Sequence, residues 1–279
     1  MTLAVLSFDV DAESPILAEG ARYAESLGVM SHQAYGPLVG VPRILELLAE
    51  YSVPATFFVP GLTADRYPQT VARILEAGHE IAHHSYSHVS PIDQDDAAER
   101  ADFERALASL ARHGVEPEGY RCPSWEPSYR TPALLAEHGL AYDSSLMDSD
   151  RPYLLETEAG ELVELPVHWS LDDWNQYVYI PRPVSKSSVE SPRKVLELWT
   201  AELDAMRRHG CLFVLTCHPF LSGRPHRVEV LRALIEHALA AGDVEFVEAR
   251  EAARRAREDA GLERRRLEPV VVEAGLYPD

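Results

Sequence analysis

Cysteine is scarce in this chain: three residues in 279, Cys122, Cys211 and Cys217, with no CxxC and no paired framework. A count this low and odd excludes a secreted disulfide scaffold. Positive charge is short as well. Lys and Arg total 26 against 45 Asp and Glu, a formal net charge of −19. Such a surface repels phosphate backbones, so nucleic acid is not an expected partner. No apolar run approaches the ~20 residues that a bilayer span needs, so no membrane is expected either. The first residues, MTLAVLSFDVDAES, lack a basic n-region, a long apolar stretch and a small-residue cleavage site. That pattern is not a signal peptide, and the expected location is the cytoplasm. Internal repeats and low-complexity linkers are missing too.

What is present is ordinary globular material. Apolar residues make up 46% of the chain, enough for a core of useful size. At roughly 150 residues per domain the length suits one or two domains, and one domain over 1–279 is the expectation. Compact apolar segments at 3–9, 54–61, 79–85, 211–218 and 244–247 read as strands. Helical spacing covers 41–51, 68–77, 93–113, 192–209 and 225–241, with Pro42 in a first turn and Gly78 and Gly114 placed as C-terminal caps. Residues 117–121 and 129–143 repeat the strand–helix–strand order. Strands alternating with helices predict a parallel sheet with helices outside, closed into an α/β barrel whose active face is at the strands' C-terminal ends. An irregular stretch of about 144–190, rich in Pro, Asp and aromatics, is expected as loops over the barrel mouth. A mixed-charge helix of about 248–267 is expected as a solvated or dimer-contact surface.

Chemistry-bearing residues follow the strand ends. FDVDAE places Asp9 and Asp11 two apart, on one side of an extended segment, where two carboxylates need a positive neighbour; alone, this is equally an acidic strand end facing water. HHSYSH holds His84 and His88 at i, i+4, which on a helical turn puts both rings on one face for a shared cation; His83 fits that spacing worse. RCPSW offers Arg121 as a bidentate carboxylate clamp beside a rigid turn, or simply as a surface Arg. LDDW offers Asp173 and Trp174 in a loop. His218 ends an apolar strand, where a lone His can be merely structural. Cys217 points to the opposite face from His218, so the pair is poorly set for a thiol nucleophile.

Taken in order, FDVD at 8–11, HSYSH at 84–88, RCPSW at 121–125, DDW at 172–174 and LTCH at 215–218 resemble the five motifs of the polysaccharide deacetylase family, carbohydrate esterase family 4. The block YGPLVGVPRILELLAEYSVPATFFVPG at 35–61 is similar to its intracellular branch of peptidoglycan deacetylase-like proteins and cyclic imide hydrolases, akin to allantoinases. The resemblance implies a distorted (β/α) barrel of seven strands. It implies Asp9 as general base, Asp11, His84 and His88 as ligands of one divalent metal, Arg121 as the group orienting Asp9, and His218 as general acid tuned by Asp173. Trp125, Trp174 and Ser124 would line the substrate site, with backbone N–H groups near Pro123–Trp125 holding an oxyanion. The family's usual motif has adjacent aspartates. Here Val10 separates them, a spacing that occurs in this branch. Two His and one Asp suit Zn²⁺, with Co²⁺, Ni²⁺ or Mn²⁺ as alternatives.

The expected activity is hydrolysis of a non-peptide carbon–nitrogen bond, with an N-acetylated amino sugar as substrate, either a small molecule or an oligosaccharide. A cyclic imide or ureide hydrolase is the alternative, and a non-catalytic binding protein on the same scaffold is a third reading. The resemblance leaves room for a homo-oligomer.

Overall fold

The computed structural model describes residues 1–183, 185–186, 189–273 and 275–276. Its strands are β1 Thr2–Asp9, β2 Thr56–Val59, β3 Glu80–His83, β4 Gly119–Tyr120, β5 Tyr142–Asp143, β6 Tyr153–Glu156, β7 Glu161–Glu164, β8 Tyr179–Ile180, β9 Ser185–Lys186, β10 Phe213–Cys217, β11 Val244–Phe246 and β12 Arg264–Arg265. Seven of these, β10-β1-β2-β3-β4-β5-β7, run parallel side by side. The gap left between β7 and β10 is spanned at the top by an isolated parallel bridge from Asp172 to Thr216. This is the distorted seven-stranded barrel that the motifs implied. β11 pairs with the lower end of β1, at Thr2–Ala4.

Strand alternation decides what enters the barrel. On β1, Leu6 and Phe8 pack outward under the helices, whereas Val5 belongs to the inner core with Phe58, Val163 and Val214. Ser7 and Asp9 share the inward face of Val5, because side chains two apart lie on one side of a strand. The same rule on β10 sends Phe213, Leu215 and Cys217 outward and Val214 and Thr216 inward. Helices Val41–Tyr51, Pro68–Glu76, Asp96–Ala111, Thr131–Glu137, Pro192–His209 and Pro225–Ala241 form the outer layer. Proline stands in the first turn of most of them, where its missing N–H costs nothing.

Three expectations are corrected. The stretch 144–190 holds an antiparallel β6–β7 hairpin, a short helix Asp173–Tyr177 and a small β8–β9 ribbon, not loops alone. The charged C-terminal helix ends at Glu258 and the chain continues into β12, which pairs with β6. That helix is also not merely a surface element. Ala249, Ala252 and Ala253 form a small apolar face buried against the inner core, closing the barrel floor. Its charged residues cover the other side, and their number hid the alanine face. Glu80 anchors the docking: it accepts hydrogen bonds from Thr56 Oγ1, Tyr142 Oη and the Arg250 N–H.

Candidate active site

Above the floor, the barrel opens into a cavity of about 450 Å³ lined by Asp9, Asp11, His84, His88, Trp125 and His218 among others. β1 ends at Asp9, and the turn beyond it carries Asp11. Both Asp11 oxygens are buried and accept no hydrogen bond. Facing them are His84 Nε2 at 3.3 Å, His88 Nε2 at 3.5 Å and His218 Nε2 at 3.5 Å. Asp11, His84 and His88 place three ligand atoms within reach of one cation. The far nitrogen of His84, Nδ1, lies 2.7 Å from the Arg121 carbonyl. A carbonyl only accepts, so Nδ1 carries the proton and the Nε2 lone pair points at Asp11.

The charge states describe the same space. Burial would raise the Asp11 pKa, but the His88 charge, the close approach of His84 and the His218 charge together hold it well below the usual carboxylate range. Burial would lower His84, yet the close Asp11 carboxylate and the charge of Asp9 raise it. The pocket between these groups therefore favours a positive charge, whether proton or metal.

The structure brings His84 and His88 together, but not through the expected spacing. No helical turn joins His84 to His88. The segment is a loop with Ser85 at φ 58° and His88 at φ 64°, both left-handed. Ser85 Oγ accepts the His88 N–H at 3.0 Å, and Asp102 accepts those of Tyr86 and Ser87. Left-handed backbone at Ala12, Ser124 and Trp125 also flanks the cavity; non-glycine residues adopt it at a cost, and such strain gathers at functional sites. His83 is elsewhere. It is buried against Phe103, with Nε2 donating to the Phe103 carbonyl at 3.0 Å, and burial lowers its pKa to about 3.

Asp9 is held apart from the imidazole group. Arg121, fully buried over the Phe58 ring, donates from Nη1 to Asp9 Oδ1 at 2.8 Å. The contact is not the bidentate clamp expected. The other guanidinium donors go to Ser7 Oγ, Ser144 Oγ and the Ser144 carbonyl. Asp173 accepts from the His218 N–H and lies 2.7 Å from His218 Nδ1, with Ser222 Oγ bonded to its second oxygen. Burial alone would lower the His218 pKa; the Asp173 bond and charge, with Asp11 and Asp172, raise it to about 10. Trp174 sets its ring edge-on to His218 at 5.2 Å. Ser124 and Trp125 line the cavity. The Trp125 N–H is committed to the Cys122 carbonyl at 3.1 Å and Pro123 has none. Ser124 alone in Pro123–Trp125 keeps an N–H with no protein acceptor among the described residues.

Among the lining residues that escaped the sequence reading are Asp172 and Trp169. Asp172 faces the cavity beside Asp173, its pKa raised by burial to about 7. The DDW motif contains both acids, but only the bridge to Thr216 decides which of them looks inward. Trp169 stands at the mouth, and nothing in WSLDDW marks it. Ser7 had a usable signal: it precedes Asp9 by two.

Comparison with known proteins identifies the family. A family model described as polysaccharide deacetylase matches residues 35–142. The peptidoglycan deacetylase of Helicobacter pylori is 32% identical over 227 residues, 71% of this chain and 77% of that protein. A solved structure from Mycobacterium smegmatis, assigned as a polysaccharide deacetylase, is 49% identical and superposes with a TM-score of 0.93, covering 97% of this chain and 95% of that one. The Puue allantoinase structure shares the fold at 22% identity, TM-score 0.81, over 93% and 91% of the two chains. On these matches the chain belongs to the polysaccharide deacetylase family, enzymes that hydrolyse amide carbon–nitrogen bonds.

Proposed function

We propose that the chain is a metal-dependent deacetylase of an N-acetylated amino sugar, with Asp11, His84 and His88 as the metal ligands. One observation carries this reading: a sealed carboxylate with both oxygens unbonded, faced by two imidazole nitrogens. Burying such a carboxylate without compensation is costly, and one divalent cation relieves it. The donor set of two nitrogens and one carboxylate fits Zn²⁺ with positions left open. When bound, such an ion supplies Lewis acidity to the acyl oxygen and to a water.

The chain's own residues do the rest. Asp9, fixed by Arg121, takes the proton of the attacking water. The Ser124 N–H donates to the oxygen that becomes negative as the carbonyl carbon turns tetrahedral. His218, held by Asp173 through Nδ1, delivers the Nε2 proton to the departing amine, which leaves poorly as an anion. Trp125 and Trp174 wall the acyl group. The name of the Helicobacter pylori relative, peptidoglycan deacetylase, supports an amino-sugar amide.

The test is an assay of zinc-loaded and chelator-stripped protein on N-acetylglucosamine oligomers beside maleimide, succinimide and hydantoin. Acetate release that disappears on stripping and returns with zinc is the expected result. Ring opening without acetate release would replace this reading with that of a cyclic imide or ureide hydrolase.

A further inference from the structure

His218 reaches the cavity from the end of β10, whereas Asp173 opens the short helix Asp173–Tyr177, 45 residues earlier in the chain. Asp173 is fully buried and its two oxygens are used unequally. Oδ1 accepts the His218 N–H at 2.9 Å and faces His218 Nδ1 at 2.7 Å. Oδ2 shares that same N–H at 3.0 Å and takes one donor of its own, the Ser222 hydroxyl. A carboxylate turns easily about its Cβ–Cγ bond, because that torsion has no sharp staggered wells. A separate donor on Oδ2 therefore keeps Oδ1 turned to the imidazole. Ser222 is itself buried. It ends the short helix Pro219–Ser222 directly after His218, and its N–H is bonded to the His218 carbonyl at 2.9 Å.

The surroundings hold that serine from two sides. Arg227 is buried and pairs with no carboxylate among the described residues. Its guanidinium lies over the Tyr177 ring at 4.2 Å and donates from Nη1 to the Leu221 carbonyl at 3.3 Å. It thereby ties the helix that carries Asp173 to the one that carries Ser222. On the other side, the backbone of YGPLVG at 35–40 packs directly on the turn after His218. A Cβ at Gly40 would meet the Pro219 carbonyl oxygen at 2.1 Å, and one at Gly223 would meet Gly40 Cα at 2.4 Å. Ser222, Arg227 and Gly40 do not line the cavity, so contact with substrate does not account for them. We propose that Ser222 is a positioning residue for the reaction: by bonding Asp173 Oδ2 it fixes the His218 ring with Nε2 turned to the departing amine. This rests on the role of His218 given above.

Ser222→Ala and Ser222→Thr are compared with the unsubstituted protein, all zinc-loaded. The Nδ1–H proton resonance of His218, identified by its loss in His218→Gln, is read without substrate in protein isotope-labelled on histidine. Turnover is read as acetate release from N-acetylglucosamine oligomers. Ser222→Ala should keep its zinc and its KM, lose about tenfold or more in kcat, and shift that resonance upfield. Ser222→Thr keeps the hydroxyl and should retain most of the kcat and the resonance position. An unmoved resonance in Ser222→Ala would overturn the proposal, whatever the change in kcat. So would a loss of kcat that follows a loss of zinc, since Ser222 would then act through the metal. A resonance that moves in a protein releasing no acetate would remove the deacetylase reading and leave Ser222 as the residue that positions His218.

Discussion

Asp9 with Asp11, and Asp143 with Glu164, are two acid pairs sealed inside one barrel and neutralised by different means. The first pair is buried in the wall of the cavity. Asp9 has the Arg121 guanidinium, and Asp11 has only imidazole nitrogens and two unbonded oxygens. The second pair lies on β5 and β7, where Asp143 and Glu164 are direct register partners. No cationic side chain among the described residues bonds them. Asp143 accepts from the Ser144 N–H and Ser145 Oγ, and Glu164 from the Ser145 and Leu146 N–H groups. Burial raises both pKa values, Asp143 to about 6 and Glu164 well above its usual range, the Asp143 charge adding to the latter. The first pair is balanced by the Arg121 charge and the facing imidazoles, whereas burial drives the second towards its protonated form, with one proton expected between the two carboxyls. The difference teaches that burial of two acids is no sign of a metal site by itself. Imidazole lone pairs aimed at an unbonded carboxylate make the distinction.

The sharpest way to break the comparison is Asp11→Ala. It should abolish zinc binding, read by elemental analysis, and lower acetate release by at least about 10³-fold, since the Lewis acid goes with it. Asp143→Asn should leave the metal content unchanged. Next is Asp9→Asn, which should keep its zinc and lose about 10²–10⁴ in kcat, the worth of a general base; unchanged turnover would remove Asp9 from that role. Asp173→Asn follows. It withdraws the charge that raises His218, so the alkaline limb of the kcat profile should move to lower pH. A limb that stays in place would mean that His218 does not supply the proton.

A smaller effect separates the pairs by pH. Zinc must displace a proton from His84, whose pKa the neighbouring carboxylates raise, so its affinity should fall on acidification, measured by competition with a chromophoric chelator. The smallest effect concerns the second pair. Groups whose folded pKa is raised bind more protons folded than unfolded, so their contribution is complete below the unfolded pKa near 4 and is lost as pH rises through about 6 and beyond. Glu164→Gln replaces the shared proton by a permanent donor. Denaturant unfolding at pH 5 and pH 9 should show the parent losing about 1–3 kcal/mol more than this variant over that interval. Parallel curves would refute the shared proton.

Much of the fold could be read from the order of segments. Compact apolar runs such as CLFVLTCH are strands because they are buried on both faces, and glycines at 78 and 114 end helices where a left-handed residue is needed, at φ 80° and 73°. The C-terminal helix was misjudged because its three buried alanines make a weak apolar signal beside six charged residues in Ala249–Glu258, and only the barrel floor shows what they cover. In the site, the residue types were readable and the geometry was not. His84 and His88 meet through left-handed turns that no spacing rule encodes. Arg121 spends its donors on Ser7 and Ser144, which come from distant strands.

Sequence alone determined the chemistry available: two carboxylates split by Val10, a His pair, an Arg at a strand end and a terminal-strand His, in a parallel α/β order. These follow from local rules, since strand alternation and composition act over a few residues. Tertiary structure decided which carboxylate is which. Asp9 and Asp11 are equivalent in sequence, and become different only because Arg121 arrives beside one and three imidazoles beside the other. That assignment depends on where β4, the loop after β3 and β10 converge, and electrostatic partners more than 70 residues apart along the chain leave no local trace.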